Sequence, residues 1–158
     1  MSAVENVFVG TDAPLRQVAD EWLDPLLALE PIPDGLDSQE EIGLRCQALD
    51  ADGWLMILVR RNGYAEVNPE PDDVQAFDAY PTEIAIRYRA EDELAQQRQA
   101  RLVFDRLVAT RPDVPMLLVH DLDILVAAHL PAAGTQYFPD NVTVDAPDQD
   151  QWRPWGHG

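Results

Sequence analysis

The stretch that decides the fold reads Gly43-Leu44-Arg45-Cys46-Gln47-Ala48-Leu49, then Asp50-Ala51-Asp52-Gly53, then Trp54-Leu55-Met56-Ile57-Leu58-Val59-Arg60 and, after Arg61, Asn62-Gly63. Two strand-like runs flank a short acidic turn, in which Gly53 tolerates positive φ. The second run, 54–60, is apolar on both faces, which places it inside a sheet. Asn62-Gly63 is a strong hairpin signal and predicts a third strand returning through Tyr64-Ala65-Glu66-Val67.

Upstream, Asn6-Val7-Phe8-Val9 reads as a short strand. Thr11 or Asp12 can cap a helix whose first turn holds Pro14. Its apolar stripe is Leu15, Val18, Ala19, Trp22, Leu23, Leu26 and Leu27. Pro25 lacks an amide donor and should kink this helix or end its regular part. Residues 30–42 read as an acidic linker with Pro31, Pro33 and Gly35.

Downstream, 68–81 is a second acidic loop with three prolines. After Pro81, Ile84, Ile86 and Tyr88 alternate with Glu83, Ala85 and Arg87, as in a half-buried strand. Glu91-Asp92-Glu93 opens a second helix that Pro112 stops, with an apolar face of Leu94, Ala100, Val103, Phe104, Leu107 and Val108. Met116-Leu117-Leu118-Val119 is a buried strand, and 124–128 fits either a strand or a short helix. From Pro131 the chain turns irregular, yet Tyr137, Phe138, Trp152 and Trp155 are costly to leave in water.

This order predicts an α+β fold: a mostly antiparallel sheet with two helices on one face, of which a ferredoxin-like arrangement with extra strands is one version. Residues 1–134 would form a single domain. The tail, 135–158, would pack in part on that domain or on a partner, with Trp152 or Trp155 as anchor.

The 158 residues include 29 acidic and 11 basic ones, for a net charge of −18, and every basic residue is an arginine. Such a field repels nucleic acid and anionic membranes and favours a cationic partner, although solvated loops account for many of the acids. The single cysteine, Cys46, can form no internal disulfide and fits as a small core residue. The N-terminal residues show no basic stretch followed by an apolar one, and no apolar run is long enough to cross a bilayer, so a cytoplasmic location is expected.

His120, Asp121 and Asp123 follow a strand and could bind a divalent metal or move protons. One imidazole and two carboxylates lack the further ligands of a metal site, and a strand-ending turn explains them as well. No nucleophile elbow, Walker loop, dinucleotide fingerprint, zinc-protease helix or calcium loop is present. No catalytic residue, metal or cofactor is assigned. Acids recur at 34–41, 66–78, 91–93 and 140–150, and Glu66, Glu70, Asp72, Asp73 and Asp78 are the candidates for binding a basic protein partner.

Three segments carry a resemblance: Val7-Phe8-Val9-Gly10-Thr11-Asp12, Asp78-Ala79-Tyr80-Pro81 and Met116-Leu117-Leu118-Val119-His120-Asp121. With their order in the chain, they resemble small acidic actinobacterial proteins, including immunity proteins encoded beside polymorphic toxins. The resemblance implies inhibition of a toxin by direct binding and transfers no functional residue. The alternatives are a small metal-dependent enzyme using His120, Asp121 and Asp123, and an acidic mimic of nucleic acid.

Overall fold

The structure, a computed structural model, describes residues 4–32, 40–89 and 92–155. Pro33, Gly35 and Glu91, named above, lie outside the described residues, as do the acids between 34 and 39.

Among the described residues, eight strands form one sheet. They are β1 (Glu5–Val9), β2 (Glu30–Pro31), β3 (Glu41–Gln47), β4 (Trp54–Arg61), β5 (Thr82–Tyr88), β6 (Met116–His120), β7 (Ile124–Leu130) and β8 (Gly134–Tyr137). The spatial order is β2-β3-β4-β5-β1-β6-β7-β8. Every pairing is antiparallel, including β1 with both its neighbours, β5 and β6. The sheet therefore lacks the parallel pair that a βαβ crossover creates, and the ferredoxin-like version of the α+β expectation does not describe it.

Helices α1 (15–27) and α2 (Glu93–Thr110) cover one face. Pro14 rather than Thr11 or Asp12 occupies the capping position of α1, and no side chain caps it. The helix widens into π-helical turns over Val18–Leu23 just before Pro25, where an amide donor is missing. It ends at Leu27, because Ala28 is left-handed, with φ 52°. Asp92 caps α2 by accepting from the Ala95 amide. The buried face of α2 carries Gln96 and Gln99 along with Ala100, Val103, Phe104 and Leu107, whereas Leu94 is exposed. The glutamines are buried because each is used: Gln96 accepts from the Tyr88 amide, and Gln99 accepts from Leu49 and donates to Asp50.

The Asn62-Gly63 hairpin does not form, and Tyr64–Val67 is not a strand. The Asn62 side chain instead donates to the carbonyls of Phe77 and Tyr80 and accepts from the Tyr64 amide. These bonds close a long excursion, 62–81, before β5 returns to pair with β4. The 50–53 turn is as expected: Gly53 has φ +108°, and a Cβ there would press on the Tyr88 ring. The ambiguous 124–128 segment is strand, part of β7.

The excursion and the last described residues share the second face of the sheet. Ala76, Phe77 and Tyr80 pack with Phe8, Leu117, Val119, Leu125, Val142, Val144 and Trp152 in a second apolar cluster. Phe8 and Phe77 stack with centroids 4.7 Å apart. Helical turns over 146–155 (α3) bury Trp152 to 2% exposure, and the Tyr80 hydroxyl donates to the Trp155 carbonyl. The tail is thus anchored by Trp152, on the face opposite the two long helices. No helix among the described residues is long and apolar enough to cross a membrane.

Candidate functional site

The buried anchors of the excursion fix where its acids point. Gln75 makes a backbone bridge to Asp145, and the Ala76 amide donates to the Val144 carbonyl at 2.8 Å. Gln75 Nε2 also donates to the Asp145 carboxylate. Between these two segments opens a cavity of about 260 Å³ lined by Glu66, Asp72, Asp73, Val74, Gln75, Asp145 and Ala146. Four carboxylates therefore line one recess, and no arginine does. Glu66, Asp72 and Asp73 are exposed and form no ion pair with a described residue. Like charges held this close repel one another, and a cation entering the recess would relieve that repulsion.

The five acids singled out in the sequence divide into three groups. Glu66, Asp72 and Asp73 line the recess. Glu70 is exposed beside it, its carbonyl accepting from the Asp73 amide. Asp78 is occupied within the fold: its carboxylate accepts from the Gln75 amide at 2.8 Å and the Glu66 amide at 3.4 Å, shaping the loop that presents the other acids. Asp145 and Gln75 were not singled out, and only the tail's aromatic residues hinted that residues near 145 would return to the domain.

His120, Asp121 and Asp123 do not form one cluster. Asp121 and Leu122 have φ of 54° and 58°, making a tight left-handed turn between β6 and β7. The His120 imidazole donates from Nδ1 to buried Glu5 at 2.9 Å, and its Nε2 lies 3.8 Å from Glu93. Gln96 Nε2 completes the shell of Glu5 at 3.1 Å. This arrangement stitches β1, β6 and α2 together at one end of the sheet, since a buried carboxylate must be paired and hydrogen-bonded. Among the described residues, no group of three or more His, Cys, Asp or Glu side chains is arranged to hold a metal ion.

His129 is likewise satisfied within the fold, bonded to Thr135 Oγ1 and to the Pro112 carbonyl. Cys46 is 1% exposed, and burial pushes its thiol up to about 11, so it is no ready nucleophile. Of the arginines on α2, Arg98 pairs with Asp50, Arg101 lies over the Tyr137 ring and Arg106 reaches the Leu26 carbonyl. Asp105 accepts from the Tyr137 hydroxyl rather than pairing with a neighbouring arginine.

Compared with protein-family models, curated proteins and solved structures, the chain matches none.

Proposed function

We propose that this chain is a non-catalytic binding protein that neutralises a basic protein in the cytoplasm, as the toxin-immunity proteins it resembles do. One observation carries the reading: Glu66, Asp72, Asp73 and Asp145 line a single open recess with no arginine among its lining residues. A lysine or arginine side chain of the partner is the natural occupant, because charge-assisted hydrogen bonds to several carboxylates exceed what one exposed pair supplies. The recess sits in a chain of net charge −18, so long-range attraction would speed the encounter and salt would slow it.

The test is co-purification of the tagged chain from cells carrying its native operon, beside a variant bearing Glu66→Gln, Asp72→Asn and Asp73→Asn. These three side chains are exposed, so the variant keeps the fold. The reading expects a basic protein that binds the native chain and is lost from the variant, with an association rate that falls as salt rises. A native chain that captures no partner, or a partner held equally well by the variant, rejects it.

A further inference from the structure

The fold does not require a glycine at 63. Its backbone is outside the left-handed region, and a Cβ built there would meet nothing within 4 Å. The residue is exposed, and its amide donates to no described residue. What the missing side chain does leave is an unshielded backbone nitrogen directly after Asn62. In an Asn-Gly pair that nitrogen can attack the side-chain amide carbon, because no Cβ stands in its way.

Asn62 is the one asparagine of four placed for this attack. Asn6 is 1% exposed within β1 and precedes Val7, whose branched Cβ crowds the nitrogen. Asn68 precedes Pro69, whose nitrogen carries no proton to give up. Asn141 precedes Val142, again β-branched and 3% exposed. At Asn62 the Tyr64 amide donates to Oδ1 at 2.9 Å. That bond strengthens as negative charge gathers on the oxygen during attack.

We infer that Asn62 is a self-modifying site and a one-way latch on the acidic excursion. The Gly63 nitrogen bonds to Cγ of Asn62 and passes its proton to Nδ2. The Cγ–Nδ2 bond breaks, ammonia leaves, and a cyclic succinimide remains. Water then opens the ring at either carbonyl, giving aspartate or isoaspartate at 62, and nothing is oxidised or reduced. The product has lost the two N–H donors that reach the Phe77 carbonyl at 3.0 Å and the Tyr80 carbonyl at 2.8 Å. At neutral pH it sets a carboxylate, an acceptor only, against those two oxygens. The lost bonds are the ones that close the excursion carrying Asp72, Asp73 and Gln75, so their loss frees one wall of the recess. The loss of partner binding that follows rests on the function proposed above; the modification and the opening do not.

Peptide mass spectrometry and amide exchange on the native chain, aged in warm, mildly alkaline buffer, test this. The mass difference between an amide and an acid should accumulate at Asn62 and not at the other asparagines. In the aged chain the Ala76 amide, bonded to the Val144 carbonyl, should exchange with solvent faster by roughly tenfold or more. Gly63→Ala, which has room for its Cβ, should keep both the Asn62 amide and the Ala76 protection through the same ageing. Asn62→Asp should show the faster exchange from the start; if it does not fold, the aged native chain supplies the measurement. Modification at another asparagine, an aged chain with unchanged Ala76 protection, or a Gly63→Ala chain that ages as fast as the native one overturns the inference. So does a folded Asn62→Asp chain with native protection at Ala76.

Discussion

Gln75 donates from its amide to the Asp145 carboxylate at 2.9 Å, across 70 residues of chain, and together they form one wall of the acidic recess. The backbone follows the same path, with a bridge between the two residues and a bond from the Ala76 amide to Val144. What keeps this strap in place is Trp152, buried to 2% and donating to the Asp145 carbonyl at 3.3 Å.

Trp152→Ala should therefore act on the recess as well as on stability. The loss of a buried indole costs about 3–5 kcal/mol, readable as a lowered urea midpoint. If the strap and loop are coupled, the Ala76 amide should exchange faster with solvent in the variant under native conditions. Faster unfolding with unchanged protection at Ala76 would separate the two.

The patterns that could be read in sequence were those written locally. Ile84, Ile86 and Tyr88 declare a strand by alternation alone, and the 50–53 turn by its glycine. Hydrophobicity alone puts Leu94 on the inward face of α2, but Leu94 is exposed, and Gln96 and Gln99 take the inward positions through bonds to Glu5, Tyr88, Leu49 and Asp50. Such bonds join residues as many as 91 positions apart and leave no periodic trace. The acidic loop was legible as acidic, but Asp145 joins it only through Trp152 and Gln75.

Asn62 shows the same limit more sharply. Its dipeptide with Gly63 has the form of a hairpin turn, yet its side chain bonds three backbone groups at 77, 80 and 64. Asn62→Ala leaves the Phe77 and Tyr80 carbonyls without these donors and should cost about 1–3 kcal/mol. An ordinary surface turn residue would cost within about 0.5 kcal/mol. Chemical denaturation of the variant decides between these magnitudes.

Cys46 should be nearly inert in the folded chain. Burial raises its thiol to about 11, so little thiolate exists at neutral pH, and the residue is 1% exposed. Labelling by a thiol reagent should follow the rate of unfolding, accelerating with urea. Rapid stoichiometric labelling without denaturant would contradict this packing.

Asp148 gives a pH dependence with a definite sign. Its carboxylate accepts from the Thr143 amide at 2.7 Å and hydroxyl at 2.8 Å, and these bonds hold its pKa below the ordinary 3.8. The folded state thus binds fewer protons there than the unfolded one. The contribution is fully present above the unfolded value and is lost as pH falls through the lower, folded one. Asp148→Asn should be less stable at neutral pH and should show a shallower fall in stability below pH 3.8. Parallel acid titrations of the two proteins would disprove the assignment.

The largest electrostatic effect should come from Glu83, which is fully buried on the sheet face opposite the two long helices. Arg60 neutralises it from the neighbouring strand, and the Asn6 side-chain amide donates to the same carboxylate. Arg60→Leu strands a buried charge, a loss of about 3–5 kcal/mol. The pair itself contributes far less than that, because bringing both charges out of water offsets most of their attraction. Arg60→Leu combined with Glu83→Gln should accordingly recover much of the single variant's loss, since Asn6 can still bond a neutral amide. Urea unfolding of the native chain, the two single variants and the double variant measures the cycle. If the double variant is as unstable as the sum of the singles, Arg60 acts through its packing on Tyr64 and its contact with Glu41 rather than by neutralising Glu83.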